Sequence, residues 1–256
     1  MQSVSARSED GVRRTIPYRM VAVVFALAAS DALAVAPAST SAVHVARYAL
    51  VSKGVTVGHV QATRSKVLRE GRECVQLRVH TEVKVDLLIF RYSLKSEETW
   101  VTDPAGLIAY GLTSVEDGRR KTISGESHGG FFRFDINEEG RSRTWEVPRS
   151  AYDYAGDDSP AQLPGRAGEV KTFRVLSPGD LAVVGRSYRW VSSESVTVGD
   201  RKVICRVVDV EDPSAKVRRW FTVDELGLLL LREEAREKRG SYSMRVTSME
   251  TAGGAP

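Results

Sequence analysis

Apolar and polar residues alternate one by one through long stretches of this chain, and this two-residue period restricts its fold more than any other feature. Between residues 75 and 85 the odd positions hold valine, leucine or threonine, whereas the even positions hold glutamine, arginine, histidine, glutamate and lysine. Phe132, Phe134 and Ile136 repeat the same spacing. Because successive side chains of a strand point to opposite faces, the pattern predicts strands with one buried face.

Glycine-containing dipeptides separate these alternating runs at short intervals. Lys53-Gly54, Glu70-Gly71 and Asp117-Gly118 are typical of two-residue hairpin turns. Connections this short join antiparallel neighbours, because parallel strands need a crossover of a dozen residues or more. We therefore predict an all-β fold, a curved antiparallel meander sheet that forms a half-barrel, an open barrel or a sandwich.

The chain divides near its middle. Residues 148–168 combine prolines, glycines and acidic residues without an apolar period, which is typical of a solvated surface loop. We expect two halves, 45–147 and 169–249, joined by this loop. Sequence echoes between the runs 100–107 and 220–228 allow the two halves to be similar in structure.

Residues 224–239 are compatible with two kinds of secondary structure. They are rich in strong helix formers, which favours a helix. Gly227 lies where the first helical turn would be, however, and the surrounding residues echo the strand–turn–strand pattern after Trp100. We predict strands here rather than a helix.

The first 38 residues are typical of an export signal. Arginines precede the apolar run 20–30, and small-x-small cleavage sites end at Ala34 and Ala38. The run is shorter than the roughly 20 residues that a membrane-spanning helix needs. We predict cleavage near 34 or 38, which releases a domain 39–256 without a transmembrane segment into the periplasm or the extracellular space.

Two cysteines, Cys74 and Cys205, lie in strand-like runs of the predicted exported domain. An even cysteine count in an oxidising compartment favours a disulfide. Nothing in the sequence places the two runs side by side, so two separate buried thiols are the alternative. Both interpretations stay open at this point.

The residues 125–129, Gly-Glu-Ser-His-Gly, match the G-x-S-x-G nucleophile elbow of hydrolases. The elbow requires a strand that turns sharply into a helix, and a general-base histidine later in the chain. Here a strand pattern follows Gly130, and no histidine occurs after His128. We therefore expect a polar turn at this place and no catalytic residues in the protein.

Metal, cofactor and nucleic-acid sites are not indicated by the sequence. The four histidines are scattered singly, and two cysteines cannot complete a zinc site without them. A phosphate-cradling glycine loop is missing from the sequence. The net charge of +4 is small and spread along the chain, which is not the footprint of a nucleic-acid surface.

Some of the strand-like runs are apolar on both faces, because neighbours such as Trp220 and Phe221 are both aromatic. A sheet with one face in water does not show this pattern. Either these side chains fill a closed core, or the sheet curls around a cavity that accepts an acyl chain or another apolar ligand. The aromatic residues expected to line such a cavity are Phe90, Tyr92, Trp100, Phe132, Phe134 and Trp190.

Short motifs are spread over residues 46–249. They are Tyr48-x-x-Val51-x-x-Gly54 with Val57-Gly58, Asp158-Ser159-Pro160, Val191-x-x-Glu194-x-Val196-x-x-Gly199, Trp220 with Asp224 and Gly227, and Gly240-Ser241. In these motifs the chain resembles a family of uncharacterised bacterial exported all-β proteins, a domain of unknown function. The family is similar in outline to the lipoprotein-carrier half-barrels, in which a curved sheet shields an acyl group. The resemblance implies an exported all-β protein and brings no catalytic residues.

These features favour an exported, non-catalytic protein that binds an apolar or envelope-derived ligand in a curved β-sheet. The alternative is a structural or assembly protein of the cell envelope that acts through protein–protein contacts. The expected partner is therefore a lipid-like ligand or another envelope protein, and no cofactor is expected.

Overall fold

The computed structural model of the protein describes residues 43–87, 90–156, 160–237 and 240–252. Within these ranges the chain forms fifteen β-strands and two short 3-10 turns, Arg149–Ala151 and Pro160–Gln162. The predicted signal region 1–38 lies outside the described residues. The strands are β1 Val43–Ser52, β2 Val55–Arg69, β3 Arg72–Leu87, β4 Phe90–Asp103, β5 Gly106–Glu116, β6 Arg119–His128, β7 Phe131–Glu138, β8 Arg141–Pro148, β9 Tyr154–Ala155, β10 Val170–Ser177, β11 Ala182–Val198, β12 Arg201–Glu211, β13 Ala215–Asp224, β14 Gly227–Glu237 and β15 Gly240–Ala252.

All fifteen strands belong to one sheet, with the order β8-β7-β6-β5-β4-β3-β2-β1-β15-β14-β13-β12-β11-β10-β9. Neighbours are antiparallel except for β9 and β10, which pair in parallel. The first and the last of the described strands, β1 and β15, lie side by side and join the two meanders. The predicted all-β antiparallel meander is confirmed, and both meanders contribute to a single sheet.

The predicted hairpin turns lie where the glycine dipeptides indicated. Lys53 and Gly54 have φ values of 49° and 79°, and Asp117 and Gly118 have values of 47° and 83°. Two consecutive residues with positive φ are the requirement of a type I′ turn, whose twist matches that of the flanking strands. The second position favours glycine, which adopts this conformation without steric strain.

The sheet curls, so that strands far apart in the strand order share one core. Val79 of β3 and Val208 of β12 belong to one cluster of buried side chains, although five strands lie between them. In a flat sheet, a strand spacing of about 4.8 Å would keep these strands roughly 29 Å apart. Leu176 of β10 packs in the same way with Phe132 of β7. The sheet is therefore curved as predicted, but it is not closed into a barrel, because β8 and β9 each have one neighbouring strand in the described structure.

The connection between the two meanders is partly buried. Tyr152 packs with the side chains of β4 to β8, and Leu163 packs with those of the central strands. Gln162 is fully buried as well. The interpretation of 148–168 as a solvated surface loop therefore does not hold for these three residues. Their apolar partners belong to strands far away in the sequence, which is why no local pattern indicated their burial.

The segment that was compatible with a helix or a strand continues β13 into a hairpin. β14 runs from Gly227 to Glu237 and pairs with β13, so the strand prediction is confirmed. Among the described residues, the helical segments are too short to cross a membrane.

Candidate functional site

Three of the six predicted lining residues meet on the core-facing side of the curled sheet. The rings of Phe132 and Phe134 are fully buried with centroids 4.7 Å apart, and Trp100 belongs to the same cluster. The Tyr110 ring connects them, with its centroid 4.7 Å from that of Trp100 and 6.3 Å from that of Phe134. Gly125 leaves room for this packing, because a Cβ there would lie 2.5 Å from the Phe134 ring. We call Trp100, Tyr110, Phe132 and Phe134 the aromatic cluster.

Two of the other predicted lining residues, Tyr92 and Trp190, do not join the aromatic cluster. Tyr92 is half-buried against the core of the central strands, and burial raises the pKa of its hydroxyl. Trp190 lies under the guanidinium of Arg206, which is 4.1 Å from the ring centroid, and donates its indole N–H to the Ser192 carbonyl. The side chain of Phe90 lies outside the described residues. The six residues therefore do not form one common lining.

Polar groups are buried within the aromatic cluster. The Tyr110 hydroxyl donates a 2.6 Å hydrogen bond to Glu98 Oε1. Burial, followed by the nearby Glu98 carboxylate, raises the pKa of Tyr110 well above its ordinary value. Trp100 Nε1 is buried and makes no hydrogen bond within the described part of the chain. Because an unsatisfied buried donor costs about 1–3 kcal/mol, this N–H would bond favourably to a polar atom that enters the core.

The connection between the meanders covers the aromatic cluster. Gly156 follows β9 with a φ of 90°, and a Cβ at this position would lie 2.7 Å from the Trp100 ring. Its N–H donates to the Leu176 carbonyl at 3.0 Å. Glycine is therefore favoured here both by its φ and by the close approach of the indole.

The end of the β13–β14 hairpin extends beyond the described pairings with both of its flanking strands. β12 pairs with β13 only as far as Phe221, and β15 pairs with β14 only from Arg232 onward. Residues 222–231, which we call the hairpin tip, therefore lack a neighbouring strand on either flank among the described pairings. The tip lies against the core-facing side of β1, where the Tyr48 hydroxyl donates to the Leu230 carbonyl at 2.8 Å.

An ion-pair network fastens the hairpin tip to β1 and β2. Arg64, whose side chain is only 8% exposed, donates to both carboxylate oxygens of Asp224, with 3.0 Å between Nη1 and Oδ1. Its Nη1 also donates to the Leu228 carbonyl at 3.1 Å. His44 is the register partner of Arg64, and its Nδ1 lies 3.5 Å from Asp224 Oδ2 and its Nε2 2.9 Å from Glu225 Oε1. The Arg64 guanidinium thus holds the Asp224 carboxylate, and the His44 imidazole lies beside both carboxylates of the tip.

The same network contains a group of metal-ligating atoms. The ligand atoms of His44, Asp224 and Glu225 lie within 4.8 Å of one another, a spacing that could hold a metal ion. Arg64 already engages both oxygens of Asp224, and its positive charge would repel a cation at this place. The geometry is therefore explained better by ion pairing than by metal coordination.

A second ion pair holds the base of the hairpin within the sheet. Arg219 of β13 and Glu233 of β14 are register partners in the buried core, with 2.7 Å between Nε and Oε2. The Tyr242 hydroxyl donates to the other oxygen of Glu233 at 2.7 Å. Satisfied hydrogen bonds on both oxygens compensate for removing this carboxylate from water. The base of the hairpin is thus fixed by buried polar contacts within the sheet, whereas the acidic end of its tip contacts Arg64 and His44.

Both cysteines are free thiols in this structure. Cys74 lies on β3 and Cys205 on β12, and both are buried. Burial raises the pKa of the Cys205 thiol to about 11. Of the two interpretations left open by the sequence, the structure therefore has the separate buried thiols and does not support a disulfide.

The serine motif lies in a strand and a turn. Ser127 and His128 end β6, and Gly129 and Gly130 connect to β7. This arrangement agrees with the predicted polar turn and lacks the strand-to-helix geometry of a nucleophile elbow.

Sequence reasoning assigned no binding role to His44, Arg64 or Asp224, although Asp224 belongs to one of the resemblance motifs. His44 was one of four histidines scattered singly along the sequence, yet its side chain is only 17% exposed and it is the register partner of Arg64. A signal was present in the run from Asp224 to Leu231, where two carboxylates precede a continuous apolar stretch. The sequence did not show that the hairpin tip contacts β1 and β2, because these strands are far away from the tip in the sequence.

No family model and no curated protein matches the chain. Among solved structures it is similar to a beta-barrel-like protein of domain of unknown function DUF1849 from Brucella abortus, with a TM-score of 0.52, 11% identity, and coverage of 83% of this chain and 98% of that chain. It also matches a protein with a YmcC-like fold from Bacteroides fragilis, with a TM-score of 0.27, 9% identity, and coverage of 81% of this chain and 95% of that chain.

The first of these similarities shows the fold alone, and the second has too low a TM-score to support an argument. The resemblance to an all-β domain of unknown function is confirmed at the level of the fold. The likeness to lipoprotein-carrier half-barrels stays a prediction.

Proposed function

We propose that the protein is an exported, non-catalytic binding protein that holds an apolar, chain-like ligand against the core-facing side of its curled sheet. The domain 39–256 would act in the periplasm or the extracellular space, because the first 38 residues have the pattern of an export signal. The proposed binding requires no cofactor.

The hairpin tip is the observation that carries this proposal. It has no ladder hydrogen bonds on its flanks, so it can move without breaking the pairing of the described sheet around it. Leu228 and Leu230 of the tip pack into the core of the central strands. Movement of the tip would expose an elongated apolar surface, and this is the surface that we assign to the ligand.

A row of core-facing residues leads from the hairpin tip to the aromatic cluster. Arg64, Leu77 and Trp100 are register partners on β2, β3 and β4. Leu77 packs against both buried clusters and so connects them. A ligand chain that replaces the tip would follow this row toward Trp100 and Phe134. Each buried CH₂ group of the chain would contribute about 0.8 kcal/mol, which would offset the loss of burial of the tip's leucines.

Native mass spectrometry of the purified mature protein tests the proposal, with one sample extracted with organic solvent and refolded. We expect a discrete added mass of lipid size before extraction, its loss after extraction, and its return when a lipid extract of the host cells is added. A clean protein mass in all three samples would contradict the proposal.

The alternative function, assembly through protein–protein contacts, is favoured by the edge of the sheet at β8. This strand pairs with β7 and has no second neighbour in the described structure. An unpaired edge offers backbone donors and acceptors to another strand. In the same mass spectra, a clean protein mass accompanied by oligomers would support this alternative.

A further inference from the structure

The hairpin tip has the chemical layout of a single-chain anionic amphiphile. Asp224 and Glu225 provide carboxylates at one end, and the run 228–231 is four consecutive leucines. In the structure the carboxylate end meets Arg64 and His44, while Leu230 is buried in the core of the central strands. The tip thus occupies the charged site at Arg64 and His44 and part of the apolar core at the same time.

The polar end of this site is built for a planar anion. Arg64 presents two guanidinium N–H groups to the two oxygens of Asp224, the bidentate geometry that carboxylates favour. The Asp224 carboxylate is held in place by the tip itself, because Oδ1 also accepts the Leu226 N–H at 2.9 Å. A ligand carboxylate could take both of its hydrogen bonds from Arg64 once the tip has moved.

Arg64 faces the core rather than bulk water, so its charge needs an anionic partner in every state of the protein. Its side chain is only 8% exposed, and a buried guanidinium without a partner is strongly unfavourable. If the tip moves away with Asp224, the ligand must supply the replacement charge. A neutral ligand of the same chain length cannot do this.

We infer that Arg64 and His44 are the recognition site for the anionic headgroup of a single-chain amphiphile, and that Asp224 occupies this site in the absence of ligand. This inference rests on the proposed function and adds the headgroup to it. The shared chemistry is an anion on an acyl or alkyl chain, either a carboxylate or a phosphate. The paired donors of Arg64 fit the planar carboxylate best.

The test compares three probes of equal chain length with the full mature protein, below their critical micelle concentrations. Laurate carries a carboxylate, dodecyl phosphate carries a phosphate, and dodecanol carries no charge. We expect laurate to bind more tightly than dodecanol by about tenfold, the scale of one charge-assisted hydrogen bond, with dodecyl phosphate between them. Isothermal titration calorimetry measures all three dissociation constants.

Two variants separate the contributions of the two charges. Asp224→Asn removes the competing carboxylate but keeps the oxygen that caps Leu226, so all three probes should bind more tightly, because the open state becomes more populated. Arg64→Gln should remove the preference for laurate and leave the three affinities equal. Arg218→Gln is the matched control, because Arg218 forms an exposed pair with Asp209 away from this site and should leave the ratio unchanged.

The outcomes of these binding measurements distinguish failure of the inference from failure of the proposed function. Equal binding of laurate and dodecanol by the wild-type protein would overturn the inference while supporting the proposed function. Binding of none of the probes would count against both. The wild-type ratio needs no variant, so the inference is tested even where Arg64→Gln does not fold. A ratio that persists in a folded Arg64→Gln protein would also overturn it.

Discussion

At the scale of single residues, close packing explains why certain positions hold glycine. Gly125 lies in the same row of register partners as Tyr110 and Phe134. The space that its missing side chain leaves is filled by the rings of Phe132 and Phe134, which are fully buried and cannot move aside cheaply. The aromatic packing therefore requires glycine at this position, because only a hydrogen atom fits between its Cα and the rings.

We predict that Gly125→Ala destabilises the protein by about 1–3 kcal/mol, because the new Cβ would lie 2.5 Å from the Phe134 ring. Urea unfolding followed by tryptophan fluorescence measures the change. Gly185→Ala is the matched control, since Gly185 also lies within a strand but has no heavy atom within 4 Å of the added Cβ. It should be neutral or stabilising by about 0.5–1 kcal/mol. Equal effects of the two substitutions would contradict the packing argument.

The two thiols give a second prediction at this scale. Cys205 has no exposed surface, and its pKa of about 11 leaves little thiolate at neutral pH. We expect the purified protein, kept free of reductant, to react slowly with a thiol reagent such as Ellman's reagent when folded. Two thiols per chain should titrate after unfolding in guanidinium. Finding none until a reductant is added would show that a disulfide had formed.

At the scale of elements, Tyr152 and Leu163 of the connection pack on the core-facing side of the sheet, as does the hairpin tip. Leu163 of the connection packs among the side chains of the central strands. The connection therefore contributes to the core although its composition is that of a loop. Its buried side chains should therefore contribute to the free energy of unfolding.

We predict that Leu163→Ala costs about 2–5 kcal/mol of unfolding free energy, as expected for a buried leucine. Val170→Ala is the control, because Val170 begins β10 with 47% of its surface exposed and should change stability by less than about 1 kcal/mol. Thermal unfolding monitored by circular dichroism compares the two. If Leu163→Ala is as mild as the control, the connection is not part of the core.

The sequence predicted the strands and turns because their signals are local. The alternation of side chains and the glycine dipeptides are read within a few residues, and the structure confirms both. The hairpin tip could not be predicted in this way. Alternation shows that a strand has a buried face, but it does not show which distant segment covers that face. The burial of Tyr152 and Leu163 was missed for the same reason.

The candidate site was only partly visible in the sequence. Trp100, Phe132 and Phe134 were among the six residues expected to line a cavity of the curled sheet, and these three pack in one buried cluster. Trp190 lies elsewhere, because its ring packs under the Arg206 guanidinium. The ion pair between Arg64 and Asp224 joins β2 to the hairpin tip of the other meander. The two meanders meet where β1 pairs with β15, and no local sequence pattern indicates that pairing.

At the scale of the whole molecule, the pairing of β1 with β15 joins the two meanders into one curled sheet. Because β1 pairs with β15, the two meanders form one concave surface with a common core. The hairpin tip lies on that surface without belonging to the sheet on either flank. The proposed function depends on this tip being exchangeable for a ligand.

Hydrogen–deuterium exchange read by mass spectrometry, with and without saturating laurate, tests this central claim most directly. We predict faster exchange in one segment and no increase in a second. Peptides covering residues 222–231 should exchange faster when laurate is bound, because the tip has been displaced. Peptides covering Ala46 to Leu50 of β1 should exchange no faster, because the ligand replaces the tip against this strand. Slower exchange of the tip, or no change at saturation, would contradict the account.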